Sequence, residues 1–114
     1  MSYTNLRYLR TITEGNSEIL HEMIEMFTLQ VPEFINNMKN LYKTRQYLAL
    51  GKEAHKAKSS LQIMGMNELE KEMRTFQLKT IEGVDVENYP KYILLFETHC
   101  LAAVEELKLV LAAE

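Results

Sequence analysis

The chain predicts an all-α protein, an up-down-up-down four-helix bundle with a short additional N-terminal helix. Three observations carry this. Apolar residues recur by threes and fours nearly from end to end. No segment sustains the period-two alternation of a half-buried strand. Three long periodic runs and one medium run are joined by connections short enough to make consecutive helices antiparallel neighbours.

The first run is short, through Leu6, Leu9 and Ile12, and Gly15 stops it as a left-handed C-terminal cap. Asn16 or Ser17 then caps the second helix, whose stripe is Leu20, Ile24, Phe27, Val31, Ile35, Met38 and Tyr42. Pro32 lies inside that stripe. Because the phase is the same on both sides, it predicts a kink in one helix, not a break. The third helix has the stripe Leu50, Ala54, Ala57, Leu61 and Met64, and Gly65 ends it. Asn67 followed by Glu70 has the spacing of a capping box, opening a fourth helix through Leu69, Met73, Phe76 and Ile81. Glu82-Gly83-Val84-Asp85 is the most loop-like stretch. The last helix tolerates Pro90 in its first turn and buries Ile93, Phe96, Cys100, Val104, Leu107 and Leu111.

Bulk properties narrow the function classes. A chain of 114 residues, 46% hydrophobic and 25% charged, is expected to fold as one domain over 1–114 around one core. A net charge of -3 argues against a sequence-blind grip on nucleic acid, which needs a clustered basic surface. Cys100 is the single cysteine, so no intrachain disulfide forms, in keeping with a reducing compartment. No apolar run approaches the ~20 residues that span a bilayer. The N-terminal stretch Met1-Ser2-Tyr3-Thr4-Asn5 lacks the basic and apolar regions of a signal peptide. The expectation is a cytoplasmic, monomeric protein with no membrane or nucleic-acid partner.

The chemistry concentrates in Ala54-His55-Lys56-Ala57-Lys58-Ser59-Ser60. His55 and Lys58 each follow a stripe residue by one position, about 100° around the axis, which puts them at the boundary of core and solvent. Residues three and four apart are neighbours on a helix, so Lys58 and Ser59 flank the imidazole. An accessible imidazole beside an ammonium suits acceptance of a phosphoryl group. Leu48, Gly51, Lys52, Lys56 and Gln62 are reachable on the same flank as a partner-docking surface. Gly51 costs about 1 kcal/mol inside a helix relative to alanine, which implies close approach of either a partner or a neighbouring helix.

These residues resemble the histidine-containing phosphotransfer domain of multistep two-component phosphorelays. The family pattern is Ala-His-x-x-Lys-Gly-Ser/Ala-Ser/Ala, with a glycine ten residues after the histidine. His55, Lys58, Ser60 and Gly65 stand at the matching offsets. Val31-Pro32-Glu33-Phe34-Ile35 is similar to the proline-containing stretch of the preceding helix, and Gln77 falls 22 residues past the histidine, where members commonly carry glutamine. The chain departs from the pattern at Ser59, which replaces the glycine that lets a partner backbone come close. Met66 stands where alanine is common, and Thr44-Arg45-Gln46 lacks the acidic residue often found there.

The resemblance implies that His55 is the phosphoacceptor, that Lys58 neutralises phosphate oxygens and that Ser59 donates a hydrogen bond. Gln77 would hold the imidazole by its other nitrogen. The implied partners are receiver domains of hybrid sensor kinases and response regulators. No cofactor is expected on this chain, the Mg²⁺ belonging to the receiver. Without a glycine-rich phosphate loop or a Walker lysine, the expected activity is phosphate carriage, not ATP-dependent phosphorylation.

Two other readings compete. One is a helical adaptor of the same fold that binds receivers or other partners without carrying phosphate. The other is a metal-dependent bundle oxidase, suggested by Glu18 and His21, one Glu-x-x-His pair where such sites need two. His21-Glu22 is similar to the opening of a sensor-kinase phosphoacceptor box but lacks its later arginine and proline. His99 has no partner suggested by spacing, and Cys100 reads as a small core residue.

Overall fold

The computed structural model describes residues 2–113; Met1, in the N-terminal stretch discussed above, and Glu114 lie outside the described residues. The elements are α1 (Arg7–Ile12), α2 (Ser17–Lys43), α3 (Tyr47–Ile63), α4 (Asn67–Glu82), a 3₁₀ turn (Val86–Asn88) and α5 (Tyr89–Ala113), with no strand among the described residues. Four long helices packed as a bundle, with one short helix before them, match the expected architecture.

Side-chain contacts fix the direction of each neighbour. Asn37 Nδ2 donates to Glu53 Oε2 (2.8 Å) and Ser60 Oγ to Gln30 Oε1 (3.1 Å), so α2 and α3 run antiparallel. Gln62 Nε2 donates to Glu70 Oε1 (3.3 Å), while Gly51 abuts the Gln77–Thr80 turn, which makes α3 and α4 antiparallel. Phe76 meets Tyr92, and Phe34 meets Phe96, closing the ring of helices through α5.

The core is the set of stripes read from the sequence. Leu20, Ile24, Phe27, Val31 and Met38 of α2 meet Leu50, Ala54, Ala57 and Leu61 of α3, Leu69, Met73 and Phe76 of α4, and Ile93, Phe96, Cys100 and Leu107 of α5. Truncating one of the larger of these to alanine costs about 2–5 kcal/mol. At the end where α4 turns into α5, Tyr89 is fully buried among Tyr42, Tyr47 and Phe76, and its hydroxyl donates to the Lys79 carbonyl (2.9 Å). The turn itself is tied by Lys79 to Asp85 and by Asn88 Nδ2 to Asp85 Oδ1 (2.6 Å).

Several local expectations hold and others are corrected. Asn16 caps α2 by accepting from the Ile19 N–H (3.1 Å), and α2 runs uninterrupted through Pro32. Gly65 lies just past the end of α3 with φ +69, and an added Cβ there would collide with the Asn5 carbonyl oxygen. The capping box does not form: Met66 holds the cap position of α4, and the buried Glu70 carboxylate faces Gln62 and Arg74 instead. Ile81 and Ile12 are exposed, while Thr80 takes the inward place expected of Ile81. Val104 and Leu111 are only half-buried, and Ala103 packs inward beside them. No helix among the described residues is long and apolar enough to cross a membrane.

Candidate functional site

His55 sits in the middle of α3 with its imidazole side exposed, while Ala54 and Ala57 on either side of it in sequence are fully buried. The small size of those alanines lets α3 lie close against the core, so the histidine stands at the edge of the bundle and not within it. Lys58, one turn on, is half-buried, and Ser59 is exposed. Neither His55 nor Lys58 makes a side-chain hydrogen bond or ion pair with another described residue. Both remain available to an incoming anion.

The seam between α3 and α4 determines what faces them. Stepping one turn from the Gln62–Glu70 hydrogen bond brings Lys58 level with Arg74, and one further step brings His55 level with Gln77. Gln77 is half-buried, and no hydrogen bond joins it to His55 among the described residues. The expected clasp on the second ring nitrogen is therefore absent from this structure. Arg74 is a residue that the sequence reading missed. Its guanidinium is held by Glu70 (2.6 Å), a carboxylate whose own side chain is only 8% exposed. The signal was present as an i, i+4 acid–base pair on α4, hidden by the assignment of Glu70 to a cap.

The proposed docking residues divide. Leu48 and Lys52 are exposed on the His55 flank, and Gln62 is exposed with its amide engaged by Glu70. Gly51 is not on that surface. It is buried, with Thr80 Cβ 3.1 Å from where its own Cβ would be, so the neighbouring helix explains it and a visiting partner does not. Lys56 is also displaced from the expected flank. Its ammonium pairs with Glu53 (3.6 Å), the carboxylate that Asn37 holds on the α2 side of the helix. In their place α4 contributes apolar surface. Ile81 joins Leu48 along a shallow groove at the end of the seam, and Leu78 is exposed nearby.

Taken together, the flank offers an open imidazole, ammonium groups at Lys52 and Lys58, and a rim of exposed aliphatic side chains. Among the described residues no group of three or more His, Cys, Asp and Glu is placed to hold a metal ion. Glu18 and His21 lie on α2, away from this seam. No family model, no curated protein and no solved structure matches the chain.

Proposed function

We propose that this chain carries phosphate, accepting a phosphoryl group on His55 from an aspartyl phosphate of a receiver domain and passing it to a second receiver's aspartate. The observation that carries the reading is the exposed imidazole of His55 with the ammonium of Lys58 one turn away, neither paired among the described residues. In the forward step a neutral ring nitrogen attacks phosphorus, a nitrogen–phosphorus bond forms, and the phosphorus–oxygen bond to the aspartate breaks, returning a carboxylate. Such transfer asks chiefly for positioning and compensation of charge. Lys58 supplies the compensation, Ser59 a hydroxyl donor at the rim, and the Leu48 and Ile81 surface an apolar footing for the visitor. The partner brings the Mg²⁺. The reading extends to a cytoplasmic, monomeric relay protein serving hybrid sensor kinases and response regulators.

The test is a transfer assay with a phosphorylated receiver, followed by mapping of the label. Acid-labile, alkali-stable phosphate on the wild type and none on His55→Ala is the expected result, with the helical signal and melting of the variant nearly unchanged. Label on His55→Ala would move the acceptor elsewhere. Binding without transfer would favour the adaptor reading, for which the unclasped Gln77 and the side chain at Ser59 are the supporting observations.

A further inference from the structure

Residues ahead of α2 are fastened differently from the rest of the molecule. α1 has six residues, too few to be a stable helix on its own, and its one fully buried apolar side chain is Leu9. It joins α2 through Glu14 (φ 52) and Gly15 (φ +75), two consecutive left-handed residues, and the space around Gly15 is open. Before α1, residues 2–5 cross the end of the bundle without regular structure, and most of their polar anchoring comes from one side chain of α5.

That side chain is Glu106. Its Oε1 accepts from Ser2 Oγ (2.6 Å), Thr4 Oγ1 (2.6 Å) and the Thr4 N–H (3.1 Å), and its Oε2 accepts from the Tyr3 N–H (2.6 Å). Burial alone would push the carboxyl up, but these donors outweigh it and hold it at about 2, so the carboxylate is charged across the physiological range. The attachment is completed by the Tyr3 ring edge-on to His99 and by the Asn5 N–H donating to the Met64 carbonyl (3.0 Å), where Gly65 leaves room for the chain.

We infer that residues 2–13 form a detachable arm, latched to α5 by Glu106 and hinged at Glu14–Gly15, whose docking builds one wall of a groove beside the His55 flank. The groove, of about 770 Å³, has Arg7, Tyr8 and Thr11 of the arm on one side and Ser59, Gln62 and Ile63 of α3 on the other. Ser59 is a single turn from His55. When the arm is down, a visitor to His55 meets a walled cleft; when it is up, only the open side of α3 remains. The inference is independent of whether His55 carries phosphate.

Residue-resolved amide hydrogen exchange on the full chain tests it. In Glu106→Ala the amides of Tyr3, Thr4 and Asn5 should exchange about tenfold faster or more, given the loss of several charge-assisted hydrogen bonds, and those of 9–13 should follow. The amides of Leu61 and Phe96 should keep their rates. Thr4→Val should produce the same local pattern, and adding it to Glu106→Ala should change little more, since both remove one interaction. If Glu106→Ala does not fold, Glu106→Gln, which keeps an acceptor but no charge, should give a smaller acceleration at the same amides. Unchanged arm exchange would overturn the latch. Equal acceleration throughout α2–α5 would overturn the arm as a separable unit.

Discussion

Gly51 shows how one missing side chain sets the spacing of two helices. Alanine is the better helix former by about 1 kcal/mol, yet its methyl would collide with Thr80 Oγ1 on α4. Thr80 is itself fixed, donating to the Gln77 carbonyl (2.6 Å). Gly51→Ala should therefore lose about 1–3 kcal/mol of stability to overpacking, and Thr80→Ala in the same chain should restore most of it. Urea denaturation of the two single variants and the double variant checks this; a Gly51→Ala protein as stable as wild type would contradict it. Residues of this kind were half-legible in the sequence. The cost of Gly51 was visible, but not which neighbour justified it, because local phase says nothing about what lies across a helix pair. The same gap concealed the inward turn of Glu70 and the pairing of Lys56 with Glu53. Asn16 and Gly65, whose roles depend on the chain immediately around them, were readable.

The helices themselves were legible because each buries a stripe that repeats in phase with its own turns. Several of the mistakes lie toward helix ends, where the stripe leaves the core: Ile12 keeps the phase but is exposed, Leu111 is only half-buried, and Ile81 falls one place out of phase with Thr80. α2 carries a proline in its interior. Pro32 is exposed and removes a backbone donor from the middle of a 27-residue helix. Pro32→Ala should raise stability by about 1–3 kcal/mol, read as a higher urea midpoint at unchanged slope. An unchanged or lower midpoint would mean that the proline contributes to the fit of α2 to its neighbours.

Topology followed from short connections between consecutive helices, and so it too could be anticipated. The union of the chain's beginning with Glu106 could not, since it joins residues about a hundred positions apart by polar groups that carry no periodicity. The centre of the bundle is one contiguous cluster of buried side chains, expected to open as a unit. Cys100 is fully buried there, and burial pushes its thiol up to about 12. Reaction with a thiol reagent should thus require global opening, and be slower than in the unfolded chain by about 10³-fold or more in water. The rate should rise with denaturant in parallel with unfolding. Labelling at the unfolded rate without denaturant would refute a closed core.

The divergence of Lys56 and Lys58 has a consequence for approach. One ammonium is drawn over the α2 edge by Glu53, while the other is left beside His55 with Arg74 across the seam. Arg74 is neutralised by Glu70, so the unpaired positive charge beside the imidazole among the described residues is that of Lys52 and Lys58. An anionic group nearing the ring would therefore meet one ammonium on each side of it, and exchanging either lysine for glutamine would tilt that field.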